Sequence, residues 1–76
     1  MAIYEVRRFT YEAKHPGVEM SRHDTRADAD RQFRLDVAND TTTGVAMVRW
    51  TSPTRAPAKV KWQDGPALGR YAGRYA

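Results

Sequence analysis

Residues Asp24–Asn39 read DTRADADRQFRLDVAN. This is the one stretch with a helical pattern, and the strand-like runs on either side need something to pack on. Thr25 is a good N-cap residue, and Asp28, three positions later, approximates the partner in a capping box. Asp28 and Asp30 bring negative charge to the first turns, where the helix dipole favours it. Ala29, Phe33 and Val37 recur every four residues and make one apolar stripe. Ala27 and Ala38 are expected to widen it, with Leu35 to its side. Asp30 and Arg34, spaced i, i+4 near its middle, can pair, worth about 0.2–0.5 kcal/mol if exposed. Asn39 stops the helix and Thr41–Gly44 carries the chain away.

Upstream, Ile3–Glu12 is rich in β-branched and aromatic residues and predicts a strand. Tyr4 and Val6 fall on one face, and Ile3, Phe9 and Tyr11 on the other. Either a bulge near Arg7-Arg8 switches the register or both faces are partly covered. His15-Pro16-Gly17 has the residue order of a type II turn. Val18–His23 then predicts a short return strand with Val18 and Met20 facing inward.

Downstream, Val45–Ser52 predicts a strand with Ala46, Val48 and Trp50 on one face and Val45, Met47 and Arg49 on the other. Pro53–Pro57 is a proline-stiffened loop. Ala58–Gln63 predicts a fourth strand, with Val60 and Trp62 on one side and Lys59 and Lys61 on the other. Asp64-Gly65-Pro66 ends it. The fold class expected is therefore α+β: one domain, β-β-α-β-β, a mainly antiparallel four-stranded sheet with the helix packed on one face. A single helix cannot cover both faces of four strands, so one face should stay open. The domain is expected to span residues 1–68, with 69–76 as a Gly-Arg-Tyr-Ala repeat tail, either without fixed structure or folded back onto the sheet.

Seventy-six residues supply one modest core. There is no cysteine, which removes disulfides and thiolate chemistry and fits a reducing cytosol. No apolar run approaches the ~20 residues of a membrane span, and Met1–Tyr11 is too charged for a signal peptide. A cytoplasmic protein with no membrane partner is expected. The net charge of +4 is unevenly spread: residues 19–40 sum to −2, whereas residues 41–76 carry six Lys and Arg against Asp64 alone, net +5. A polyanion would meet the second hairpin and the tail. The plainer alternative is that the excess Lys and Arg keep a small domain soluble.

Catalytic equipment is not visible. Ser21 near His23 lacks a third orienting group, the acids of the helix are explained by solvation and pairing, and the five glycines form no phosphate loop. His15 and His23 do not define a metal site. No enzyme activity, cofactor or metal is expected.

Basic residues do interleave with aromatics. Arg49-Trp50 and Lys59-Val60-Lys61-Trp62 juxtapose charge with stacking surface. Trp50 and Trp62 are expected to lie cross-strand and form the core against Phe33, which leaves Arg49, Lys59 and Lys61 on the opposite face for phosphate. Arg55 in the loop joins them, and Arg7 and Arg8 extend the patch if the first strand neighbours the second hairpin. In the tail, Gly69-Arg70-Tyr71-Ala72 repeats as Gly73-Arg74-Tyr75-Ala76. It resembles in composition the Arg/Gly-rich segments that bind nucleic acids, with Arg70 and Arg74 for phosphate and Tyr71 and Tyr75 for stacking. The alternative is that a tail tyrosine folds back onto the sheet.

The function expected is binding: to nucleic acid, or to a protein complex that handles it. In size and element order the chain also resembles the small inhibitors of phages and other mobile elements, some anti-CRISPR proteins among them. That resemblance implies a protein-directed inhibitor or adaptor, with the same patch meeting acidic side chains. Self-association as a homodimer through an uncovered sheet edge is a further expectation.

Overall fold

A computed structural model describes residues 2–12 and 15–68. The helix α1 (Arg26–Ala38) begins where the sequence places it: Thr25 is extended, at φ −123° and ψ 150°, and its hydroxyl accepts the Asp28 N–H at 3.2 Å. At the other end the Asn39 N–H donates to the Asp36 carbonyl at 3.2 Å. Ala29 and Phe33 are buried and Val37 is partly so, but Ala27, Ala38 and Leu35 face solvent. The stripe is therefore narrower than its apolar composition suggests. Asp30 turns to Arg26, at 3.8 Å, and to a lysine on the sheet, rather than forming an ion pair with Arg34.

Four strands, β1 (Ile3–Glu12), β2 (His15–His23), β3 (Thr42–Trp50) and β4 (Ala58–Asp64), form one antiparallel sheet in the order β2-β1-β3-β4. Both β2 and β3 run antiparallel to β1, so they are parallel to each other with β1 between them. Their connection must cross one face of the sheet, and α1 is that crossover. It packs chiefly over β1 and β3. The core follows: Val6, Val45 and Met47 from the sheet meet Ala29 and Phe33 from the helix, flanked by Tyr4, Val37 and Val60. Each large apolar side chain fully buried here contributes about 1.5–3 kcal/mol.

Polar groups seal the end of the crossover. Thr42 Oγ1 donates to the Asp36 carbonyl at 2.7 Å and accepts from Arg8 Nη1 at 3.2 Å. Arg8 also donates to Thr41 Oγ1 at 3.0 Å and pairs with Glu19 at 2.8 Å. After β4 the chain folds back on β3, with the Gly65 N–H on the Thr43 carbonyl and the Ala67 N–H on that of Thr42, both at 2.9 Å. Only glycine fits at 65, because a Cβ there would collide with the Thr42 carbonyl.

Two local expectations are corrected, and one open alternative is decided. His15, Pro16 and Gly17 are not a turn but the start of β2, opposite Glu12, Tyr11 and Thr10. Val18 and Met20 do not face inward; they are 49% and 64% exposed, on the face away from the helix. Of the two alternatives for β1, both faces are partly covered, and no register break occurs at Arg7-Arg8. The irregularity against β3 falls between Phe9 and Thr10, with the extra residue on β3: Thr43, whose hydroxyl donates to the Phe9 carbonyl at 3.0 Å. Among the described residues no helix is long and apolar enough to cross a membrane. The tail residues 69–76 lie outside the described residues.

Candidate functional site

The bulk of the distinctive chemistry lies on the sheet face that α1 leaves open. A second irregularity, between Met47 and Val48 on β3, explains why. Met47 pairs with Lys61 and Val48 with Lys59, so Val60 is an extra residue in β4. Val60 and Lys61 both turn toward the helix, while Lys59 and Trp62 go to the open face. This overturns the expected arrangement of β4. Trp50 and Trp62 are not core partners of Phe33; they lie on the far side of the sheet from it. The residue over the Phe33 ring is Lys61, whose Nζ is 4.4 Å from the ring centre and 2.7 Å from Asp30 Oδ1.

Trp62 is held in place from three sides. Its ring lies over Gly44, where a Cβ would collide with Cη2 and Cζ2. Its Nε1 donates to Asp64 Oδ1 at 2.8 Å. Its neighbour is Phe9, with ring centroids 5.6 Å apart and tilted by 50°, within the separation at which aromatic pairs attract. Even so, Trp62 remains 45% exposed. Two aromatic rings thus stand side by side on an open sheet, oriented by the protein.

Beside them, Glu5 is 1% exposed although it lies on the uncovered face. Arg7 Nε reaches its Oε1 at 2.6 Å, and Arg22 Nε reaches its Oε2 at 3.0 Å. Burial pushes the Glu5 carboxyl up, but the two guanidiniums outweigh that and hold it below the ordinary glutamate value. One carboxylate therefore positions two arginines, and the cluster keeps a net positive charge. Beyond it, Ile3, Arg22, Trp50 and the Thr51–Pro53 turn line a groove of about 390 Å³. Trp50 Nε1 itself is buried with no hydrogen-bond partner among the described residues.

The residues predicted for binding do not form one patch. Lys59 is exposed on the open face, opposite Val48. Arg49 is exposed on the helix side of β3, opposite Tyr4. Lys61 is engaged by Asp30, and Arg55 sits exposed in the β3–β4 loop. Arg7 and Arg8 do adjoin the second hairpin through β1, but on opposite faces. Arg70, Tyr71, Arg74 and Tyr75 lie outside the described residues. Sequence reasoning missed Phe9, Glu5 and Arg22 as site residues. The available signal was the alternation Ile3, Glu5, Arg7, Phe9, which sets aromatic and charged side chains on the face opposite Tyr4 and Val6.

On the helix side of β2, Ser21 Oγ and His23 Nε2 lie 2.9 Å apart. Among the described residues no carboxylate is hydrogen-bonded to the other ring nitrogen, and no group of three His, Asp or Glu converges as a metal site. Comparison with protein-family models, curated proteins and solved structures finds no match to this chain.

Proposed function

We propose that this chain is a non-catalytic module that binds single-stranded nucleic acid on its uncovered sheet face. The observation that carries the reading is the Phe9–Trp62 pair, with Trp62 exposed and Phe9 partly buried beside it, held by Gly44 and Asp64, on a face that also carries Arg7, Arg22 and Lys59. Bases stack on such rings with little regard to sequence, while guanidinium and ammonium groups meet the backbone. An unstacked strand can lie along a sheet; a duplex does not offer its base faces. Arg55 and the tail residues Arg70, Tyr71, Arg74 and Tyr75 extend the reading as further phosphate and stacking groups. The module works in the cytoplasm in this reading.

A second reading is a protein-directed inhibitor or adaptor of the kind mobile elements make. It is favoured by Val18 and Met20, exposed aliphatic side chains that suit a protein surface better than a base. Self-association through a sheet edge is compatible with either.

Fluorescence anisotropy with labelled single- and double-stranded oligonucleotides separates the two. Single-strand binding is expected, with log K falling against log salt by about 0.7 per phosphate contacted. Trp62→Ala should weaken it by about 1–3 kcal/mol, the worth of one stacked base. A chain ending at Leu68 reads the tail's share. No binding at low salt, or Trp62→Ala binding as well as wild type, would remove the first reading and promote the second.

A further inference from the structure

The two edges of the sheet are built differently. The β4 edge carries Lys59 and Lys61 and is broken by the extra residue Val60. Lysines and bulges are the usual devices that stop an edge from recruiting another strand. The β2 edge has neither. It is nine residues long, pairs with β1 without any irregularity, and contains no lysine; its one proline, Pro16, is near its start. It also exposes Val18 and Met20 on the open face. A long, regular edge that has no lysine or bulge and exposes two apolar side chains, with Glu19 and Arg22 as its acidic and basic residues, is expected to be used.

We propose that β2 pairs antiparallel with β2 of a second copy of this chain, giving a two-fold dimer with one continuous eight-stranded sheet. The pleat limits the register. For the two open faces to be continuous, and both helices to lie on one side, paired residues must have the same parity, so one residue falls on the dyad. With Glu19 on the dyad, two carboxylates would face each other directly, which is destabilising. Moving the dyad to Met20 removes that clash. Met20 then meets its own copy, Glu19 meets the Ser21 of the second chain, and Val18 meets Arg22, whose aliphatic stem can cover it. Glu19 keeps Arg8, its partner within the chain. The occupant is thus a second copy, because in this register exposed Met20 covers its own counterpart with no like charges opposed, and because the β4 edge is guarded. The dimer goes beyond the nucleic-acid reading and does not depend on it.

The absence of native cysteine gives a direct test. Met20→Cys, Val18→Cys and Leu35→Cys each create the only thiol in the full chain. Across the dyad, residues at 20 would have Cα atoms about 4.5–5.5 Å apart, within disulfide reach. Two residues at 18 would be roughly 14 Å apart, out of reach. Leu35, exposed on the helix, reports random collision. Under mild oxidation Met20→Cys should cross-link at least ten times faster than either other variant. In parallel, light scattering of the wild type should show the mass rising with concentration toward twice 8.7 kDa. Met20→Lys should return it to the monomer with an unchanged circular dichroism spectrum. A wild type that stays monomeric at about 1 mM, or cross-linking as fast at 35 or 18 as at 20, overturns the proposal. Oligonucleotide binding is not read in any of these measurements, so failure of the dimer and failure of the nucleic-acid reading are distinguishable.

Discussion

Lys61 Nζ lies 2.7 Å from Asp30 Oδ1, so the ammonium group nearest the Trp62 platform in sequence points to the other side of the sheet and ties β4 to the helix. The hydrogen bond from Lys61 holds the Asp30 carboxyl below its ordinary value, with Arg26 and Arg34 adding to it through space. Lys59, two residues away, is exposed on the open face without such a partner among the described residues.

The two lysines are therefore expected to separate stability from binding. Lys59→Ala should lower single-strand affinity and reduce the salt slope by about 0.7, the loss of one phosphate contact, with the urea midpoint unchanged. Lys61→Ala should lower the urea midpoint, because it removes both the Asp30 partner and the cation over Phe33, and leave the salt slope alone. Chemical denaturation and anisotropy on the two variants check this. Equal effects of both substitutions on the salt slope would contradict the assignment of the two side chains to opposite faces.

Gly44 and Trp62 give a second test, of the platform itself. A methyl group at 44 would occupy the space of Cη2 and Cζ2, so the indole must swing off the sheet. It would lose contact with Phe9 and the Nε1 bond to Asp64. Gly44→Ala should shift tryptophan emission toward that of a solvated indole. It should also weaken oligonucleotide binding about as much as Trp62→Ala does, roughly 5- to 150-fold for one lost stacked base. The ladder should survive, since β3 tolerates alanine better than glycine at a strand position. Unchanged emission and affinity in Gly44→Ala would show that the ring is not held there.

The pattern of what the sequence revealed follows the range of the forces involved. Thr25, Ala29, Phe33 and Val37 place the helix because capping and helical periodicity act over a few residues. The element order and the open face follow from strand patterning and from having only one helix. The faces of β4 were not legible, because strict alternation assigns Val60 and Trp62 to one side, and the extra residue is set by pairing with β3. His15-Pro16-Gly17 has turn chemistry, yet pairing with Tyr11, Glu12 and Thr10 extends the strand through it. Val18 and Met20 look like core in the sequence because they are apolar. The core is defined by where the helix lies, and it lies on the other face. The Glu5 clamp joins residues 17 apart in sequence, and that proximity exists only once β1 and β2 are in register.

That clamp supports the last prediction. Glu5 is almost fully removed from solvent and accepts from two guanidiniums, and its carboxyl is held below the ordinary glutamate value of 4.5. A carboxyl with a lowered folded-state pKa stabilises the fold above its unfolded pKa. That contribution disappears as pH falls through the folded value. At pH 7, Glu5→Gln keeps the shape but replaces the charge and turns an amide N–H₂ toward an arginine. It should cost about 1–3 kcal/mol in urea denaturation, the range for a buried polar group left badly paired. Below about pH 4.5 the unfolded chain takes up the proton first and the folded carboxyl follows at lower pH, so the gap between the two proteins should narrow as pH falls toward 3. Asp30, also lowered, is present in both chains and cancels in the difference. A gap that stays constant from pH 7 to pH 3 would mean that the charge of Glu5 contributes nothing, and that the two arginines are placed by packing alone.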